Sequence, residues 1–120
     1  MAVCSAVEHP AVLETTRALG GEVVGVDRAG RIDLDALEAI LSGVAARAAT
    51  GVANGSVGLP GSPGSVVSVM TANNELGTVN DIAAVSEVVR RCAPGAVLHT
   101  DAVQAAPWLD LGWLPLLRTW

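Results

Sequence analysis

Amide, carboxylate and imidazole side chains follow two short apolar segments of the chain, and these residue types can bind ligands or move protons. The first group follows residues 66–70, and the second lies at or just past the end of residues 96–100. Together they are Asn73, Asn74, Glu75, His99, Thr100, Asp101 and Gln104. Asp101 could ligate a metal ion, pair with the protonated ring nitrogen of a cofactor, or only cap the next helix. Turn chemistry alone could likewise explain the two asparagines. The residue types by themselves leave these alternatives open.

The remaining imidazole and the two thiols form no second constellation. His9 stands directly before the expected start of a helix, so it could be a cap, a surface residue or a ligand-binding group. Cys4 and Cys92 are too far apart for a disulfide framework or a zinc knuckle. No tight metal-ligand spacing is present, so no metal site is predicted. A metal-dependent hydrolase using His9, His99 and Asp101 remains an alternative.

The composition of the 120 residues excludes several classes of protein. Apolar residues make up 51% and charged residues 16%, which predicts one packed domain or a piece of one. The net charge of −5 and the lack of Tyr and Phe argue against nucleic acid and anionic membranes as partners. All 7 basic residues are arginine, so this chain cannot itself form a lysine Schiff base. No secretory or membrane-spanning pattern occurs, and a cytoplasmic location is predicted.

The first half of the chain predicts two helices and a strand. Pro10 is expected to begin the first helix, and the two glycines at 20 and 21 are expected to end it. A strand is predicted over residues 22–26, followed by a turn. Asp33 is a plausible N-cap for a second helix, whose apolar residues recur at helical spacing. Residues 50–65 are rich in Gly, Ser and Pro and predict a flexible loop.

The second half predicts one βαβ unit. A β-branched strand over 66–70, a polar loop over 71–80, a helix over 81–92 and a strand over 96–100 follow one another. Strands joined in this way are parallel, and α/β sheets bind ligands beyond the carboxyl ends of such strands. The two polar groups are therefore expected to face the same crevice.

Four segments of the sequence, taken together, resemble a known family. In order, they are SAVEHPAVL (5–13), GRIDLD (30–35), VSVMTANNELGTV (67–79) and HTDAVQA (99–105). They are similar to the cysteine desulfurases and selenocysteine lyases of the class V aminotransferase family, over about Cys4 to Leu111. The resemblance implies an α/β fold: part of the large domain of a PLP-dependent transferase of aminotransferase fold type I, with parallel βαβ units. It also implies the cofactor pyridoxal 5′-phosphate (PLP).

The resemblance assigns roles to residues of this chain. His9 would stack on the pyridine ring and help proton transfer, which makes it the expected catalytic residue. Asn74 would hydrogen-bond the cofactor near its phenolic oxygen, with Asn73 as a second candidate. Asp101 would keep the pyridine nitrogen protonated, and Gln104 would bond the phenolic oxygen. The family releases sulfur from L-cysteine as an enzyme persulfide and leaves alanine, for iron–sulfur cluster assembly or thiolation. A homodimer and a sulfur-acceptor or scaffold protein are the partners implied.

Several family features have no counterpart in these 120 residues. They are the lysine that holds the cofactor, the cysteine that accepts sulfur and the glycine-rich phosphate loop. We therefore expect residues 1–111 to be part of a PLP-binding large domain, residues 112–120 to be an atypical tail, and the chain alone to be inactive. His99 is expected to have a structural or supporting role. Selenocysteine lyase and a non-catalytic α/β interaction module remain the alternatives.

Overall fold

The computed structural model describes residues 1–49 and 65–112, with the side chains of 44–49 left aside. The predicted flexible loop (50–65) and the predicted atypical tail (112–120) lie almost wholly outside these ranges. The division of the chain into a domain over 1–111 and a tail therefore stays a prediction.

In chain order the elements are β1 (Ala2–Ser5), α1 (Pro10–Ala18), β2 (Glu22–Val24), α2 (Leu34–Ala49), β3 (Val66–Ser68), β4 (Ala72–Asn73), β5 (Thr78–Val79), α3 (Ile82–Cys92) and β6 (Val97–His99). Four strands form a parallel sheet in the order β2-β1-β3-β6. The strands β4 and β5 form a separate antiparallel pair. The predicted α/β class with parallel βαβ units is confirmed, since α3 connects the neighbouring parallel strands β3 and β6.

The helices begin where the local sequence predicts them. Pro10 is the first residue of α1, and Gly20 just beyond the helix has a φ of 65°, which a glycine adopts without strain. Asp33 precedes α2, and its carboxylate accepts a hydrogen bond from the Ala36 amide at 3.0 Å. Asp81 does the same for α3 through the Ala84 amide, also at 3.0 Å. Side-chain caps of this kind satisfy amides that a helix leaves unpaired at its start.

Several strand predictions need correction. The strands predicted over 66–70 and 96–100 are shorter, spanning Val66–Ser68 and Val97–His99. The strand β1 was not expected, yet it lies between β2 and β3 and pairs with both. The expected loop over 71–80 contains the short β4–β5 pair. The strand predicted over 22–26 ends at Val24, and Val26 instead forms an isolated bridge with Ile32. The strand β1 depends on pairing with segments distant in sequence. The β4–β5 pair and the Val26–Ile32 bridge join residues close in sequence, over segments too short to show a periodic pattern.

The core lies between the sheet and the helices and holds the strands rigidly in place. Its fully buried members from the strands are Val3, Val24 and Val67, and those from α2 and α3 are Leu37, Leu41, Ile82 and Val85. Close packing of this kind fixes the strand ends, and therefore the loops that follow them. Within the described residues, no helix is long and apolar enough to cross a membrane.

Candidate functional site

The carboxyl ends of three neighbouring strands bring the predicted polar groups to one edge of the sheet. Ser68 pairs with Cys4 of β1 on one side and with His99 of β6 on the other. Pairing of β3 with β6 continues past the strand ends, because the Thr71 amide donates to the Asp101 carbonyl at 2.9 Å. The loops after β1, β3 and β6 therefore leave the sheet side by side. This is the edge at which parallel α/β sheets hold ligands.

His9 lies at this edge as the N-cap of α1. Its Nδ1 accepts a hydrogen bond from the Ala11 amide at 3.2 Å, and its ring is exposed. The ring borders a cavity of about 290 Å³ that Asn74, Glu75 and Leu76 also line. Capping uses Nδ1 and leaves the rest of the ring at the cavity, so the cap role does not exclude the ligand-binding role expected from the sequence.

The two neighbouring asparagines do different things. Asn73 is buried and donates to the Val7 carbonyl at 2.9 Å. Its Oδ1 accepts from the amides of Glu75 and Leu76 at 2.9 and 3.0 Å, which forms the turn. Asn74 is exposed between these contacts. The side chain of Asn73 thus stabilises the turn, whereas that of Asn74 is left at the surface.

Asn74 joins the first cavity to a second one of about 210 Å³. Gln104 and Trp108 line this second cavity, and Trp108 is 82% exposed. Amides from the loop after β3 and from the segment after β6 therefore share one cavity, as expected from the sequence. The expected crevice is in fact two adjoining cavities, with His9 on one and Gln104 on the other.

Asp101 is half-buried at the end of the β6 segment. Its Oδ1 accepts a hydrogen bond from the Val103 amide at 2.9 Å, so the carboxylate does stabilise the turn that follows. A carboxylate has further acceptor positions, and one such bond does not use them all. Asp101 lines neither of the two cavities described above.

Glu8 is the feature of this site that sequence reasoning missed. Its side chain is buried, and its Oε1 accepts from the Met70 amide at 2.7 Å. Its Oε2 accepts from the Ser68 hydroxyl at 3.3 Å. Burial raises the pKa of the Glu8 carboxyl, while hydrogen bonds from Met70, Ser5 and Ser68 act in the opposite direction. A charged residue type beside His9 in the sequence was the available signal.

Ser68 extends this contact to His99. The Ser68 hydroxyl oxygen lies 2.8 Å from His99 Nδ1, and the His99 ring is exposed. Glu8, Ser68 and His99 thus form a continuous hydrogen-bonded chain across the ends of three strand segments. The supporting role expected for His99 would act through this series of hydrogen bonds. A serine within an otherwise apolar predicted strand was the sequence signal for it.

Three further hydrogen bonds, made by the side chains of Asn80 and Thr78, hold the loop after β3 in place. Asn80 is buried, accepts from the Ile32 amide and donates to the Met70 carbonyl, both at 2.9 Å. The hydroxyl of Thr78 donates to the carbonyl of Ala29. The bonds to Ile32 and Ala29 connect this loop to the segment before α2, which is distant in sequence.

Possible metal ligands and the two cysteine thiols, Cys4 and Cys92, are further groups that could do chemistry. Within the described part of the chain, no three His, Cys, Asp or Glu side chains lie close enough together to hold a metal ion. His9, His99 and Asp101 therefore do not form the ligand set of a hydrolase. Cys4 is buried, and burial raises the pKa of its thiol, which disfavours the reactive thiolate. Cys92 ends α3 and is half-buried.

The fold defines an α/β protein that gathers polar side chains at the carboxyl edge of a parallel sheet, the edge at which such sheets hold ligands. The sequence model of the family Aminotransferase class-V matches residues 62–111. A cysteine desulfurase of Sinorhizobium fredii is 38% identical over 120 residues, which is 95% of this chain and 24% of that protein. The cysteine desulfurase IscS of Escherichia coli O139:H28 is 39% identical over 114 residues, covering 91% of this chain and 23% of that protein.

Solved structures of two NifS-like proteins also match this chain. The NifS-like protein of Rickettsia africae matches with a TM-score of 0.63 at 28% identity, over 86% of this chain and 24% of that one. A second NifS-like protein matches with a TM-score of 0.58 at 31% identity, over 87% and 25%. The chain is thus related to the cysteine desulfurases of the class-V aminotransferase family, which confirms the resemblance of its four motifs. It spans about a quarter of the length of the relatives it matches.

Proposed function

We propose that this chain is the part of a PLP-dependent cysteine desulfurase that binds the ring of the cofactor. The observation that carries the proposal is the position of Asn74. It lines both adjoining cavities, with His9 on the first and Gln104 on the second. These are three of the four residues to which the family motifs assign cofactor contacts. The fourth, Asp101, follows β6 at the same edge of the sheet.

The donor set fits the chemistry of PLP. An imidazole face at His9 suits stacking on an aromatic ring, and the amides of Asn74 and Gln104 can donate to a phenolate oxygen. The Asp101 carboxylate can accept from a protonated pyridine nitrogen while it also accepts from the Val103 amide. When bound, PLP supplies an electron-withdrawing ring that stabilises negative charge at the substrate carbon.

The residues of this chain would bind and orient, and His9 would also move a proton. Asp101 would favour the protonated pyridine nitrogen by placing a negative charge beside it. The amides would fix the ring in its plane. His9, whose Nδ1 is occupied by the helix cap, would use its Nε2 for proton transfer. The lysine that holds the cofactor must come from outside these 120 residues, since they contain none.

The wider setting is what the family resemblance implies, and it is part of the same proposal. The substrate would be L-cysteine, and its sulfur would leave as an enzyme persulfide with alanine as the other product. A sulfur-acceptor or scaffold protein would receive the sulfur for iron–sulfur cluster assembly or thiolation. The complete enzyme would act as a homodimer in the cytoplasm. IscS among the relatives supports this setting.

Binding of a cofactor analogue tests the proposed site. Pyridoxine 5′-phosphate lacks the reactive aldehyde, so its affinity reports the non-covalent contacts alone. Asp101→Asn should weaken binding about tenfold or more, because a neutral amide cannot balance a protonated ring nitrogen. The matched control is Asp110→Asn, since Asp110 makes the same kind of turn, accepting from the Gly112 amide at 2.8 Å. Isothermal titration of wild type and both variants decides the question. Equal affinities in all three would refute the proposed role of Asp101.

Catalysis by the chain alone is a separate question. We expect the purified 120-residue chain, mixed with PLP and L-cysteine, to form no alanine above the level of PLP in buffer. The reason is that it contains no lysine, and its cysteines match neither catalytic position of the family. Amino-acid analysis of the mixture measures the product. Alanine formation that scales with protein concentration would contradict this expectation.

A further inference from the structure

We propose that Glu8, acting through Ser68, is a positioning residue that keeps the proton of the neutral His99 ring on Nδ1, so that Nε2 of this exposed residue accepts hydrogen bonds at the carboxyl edge of the sheet. The inference deepens the proposed function and rests on it for the identity of the ligand. Its geometric part, the placement of the proton, rests on the described contacts with Glu8 in its ionised form and does not depend on the identity of the ligand. No family motif assigns Glu8 or Ser68 a role in the account above.

The direction of the hydrogen bonds follows from what each group can donate. An ionised carboxylate only accepts, so Ser68 must direct its single hydroxyl proton to Glu8 Oε2, at 3.3 Å. The 2.8 Å contact between Ser68 Oγ and His99 Nδ1 then needs a proton from the histidine. Nδ1 of His99 therefore carries hydrogen, and in the neutral ring Nε2 does not.

The other oxygen of Glu8 keeps this arrangement in register. Oε1 accepts from the Met70 amide at 2.7 Å, which fixes the carboxylate plane against β3 and its following loop. His99 is the charged or ionisable group that acts on Glu8 from β6, and the Cys4 thiol lies in its field from β1. The carboxylate has no competing cation among these neighbours, so Ser68 is its route to the imidazole.

The other histidine of the chain, His9, carries its proton on the opposite ring nitrogen. Nδ1 of His9 accepts from the Ala11 amide at 3.2 Å, so in the neutral ring its proton is on Nε2. The two imidazoles at this edge are thus complementary: His9 offers a donor on Nε2, and His99 offers an acceptor. A ligand with a hydrogen-bond donor, such as the ammonium group of an amino acid or a hydroxyl, suits the His99 side.

The tautomers can be read directly by long-range ¹H–¹⁵N correlation spectra of the 120-residue chain. A mildly alkaline buffer keeps carboxylates ionised and favours neutral imidazole. The chain has only 2 histidines, so His9 is an internal reference in the same spectrum. We expect a protonated Nδ1 for His99 and a protonated Nε2 for His9. A bare Nδ1 on His99 in the wild-type protein would overturn the proposal.

Glu8→Gln reverses the direction of the hydrogen bonds from residue 8 through Ser68 to His99, while the side chain at position 8 keeps nearly the same shape. The Met70 amide requires the Gln oxygen on its side, so the Gln amide nitrogen donates to Ser68, and Ser68 then donates to His99 Nδ1. The proton of His99 should shift to Nε2, while His9 stays unchanged. A role of Glu8 limited to holding the Met70 amide would not move the tautomer. An unchanged His99 spectrum in a folded variant would therefore also overturn the proposal.

Two further variants keep the test decisive. Glu14→Gln removes the same charge from an exposed position on α1 and should leave both spectra unchanged. Ser68→Ala removes the bridge, and His99 should then show a mixture of tautomers, even if Glu8→Gln fails to fold. All these spectra are recorded without cofactor. A failed titration with pyridoxine 5′-phosphate would refute the proposed function and leave the tautomer result intact. An unexpected tautomer of His99 would refute the role of Glu8 and leave the titration result intact.

Discussion

At the scale of single residues, Glu8 has the least ordinary environment in the described part of the site. It is a carboxyl group with 5% exposure, and each of its oxygens accepts a hydrogen bond. Burial nevertheless raises its pKa, so desolvation outweighs the bonds that favour the charge. A carboxyl group whose pKa is raised by burial makes stability depend on pH in a defined direction.

The raised pKa of Glu8 predicts that its contribution to stability falls as pH rises. Between the unfolded pKa and the higher folded pKa, the folded state binds more protons, so its free energy of unfolding decreases with pH and then levels. Glu8→Gln removes this titration. The stability difference between wild type and variant should fall across that window by about 1.4 kcal/mol for each unit of pKa shift. Urea denaturation at a series of pH values measures it. A difference that rises with pH would show the opposite shift.

At the scale of elements, the β4–β5 pair is held against the turn before α2. Gly30 in that turn has a φ of 77°, and a Cβ there would lie 2.6 Å from Leu76 Cδ1 and 3.1 Å from Thr78 Oγ1. Leu76 is exposed and can rotate away, but Thr78 is buried and bonded to Ala29. The close approach lets the turn support the loop that carries Asn74.

Two glycine substitutions separate backbone strain from this contact. Gly77 has a φ of 69° with open space around its Cβ position, so Gly77→Ala should cost only the strain of a left-handed residue, about 1–2 kcal/mol. Gly30→Ala carries similar strain and in addition crowds Thr78. We expect it to destabilise the protein more than Gly77→Ala does, as measured by chemical denaturation. Equal costs would mean that the β4–β5 pair moves freely away from the turn.

At the scale of the whole molecule, the described sheet has β2 and β6 as its outer strands. Val97 of β6 is 50% exposed, and the outer side of β6 has no paired strand within the described residues. An apolar strand edge of this kind favours pairing with another chain. Association at this edge would be a property of the sheet and not of the ligand site.

Self-association of the purified chain tests this edge. We expect Val97→Lys to shift the sedimentation profile toward monomer, because a charged side chain on an outer strand opposes edge pairing. Val103→Lys is the control, since Val103 is 73% exposed but lies outside the sheet. Both variants add the same charge, so general repulsion between molecules is matched. Identical profiles for the two variants would exclude β6 as the contact. A monodisperse monomeric wild type would exclude association altogether and favour a self-contained module.

Local sequence was sufficient for the helices and for the polar groups at the strand ends. Pro10, Asp33 and Asp81 act on backbone groups within four residues of themselves, so their effects can be read from the sequence. The βαβ pattern likewise predicts that Asn74 and Gln104 approach each other, because parallel strands end at the same edge. The four motifs identified the related family.

Tertiary structure decided the rest, since the deciding contacts join residues far apart in sequence. Ser68 and Met70, which donate to Glu8, are 60 and 62 residues away from it, and only folding turns this carboxyl into the end of a hydrogen-bonded chain. The strand β1 is recognisable through its pairing with β2 and β3 and has no periodic pattern of its own. Asn73 and Asn74 are the same residue type in sequence. Burial alone assigns one to the turn and leaves the other exposed, because a buried amide must satisfy its hydrogen bonds within the protein.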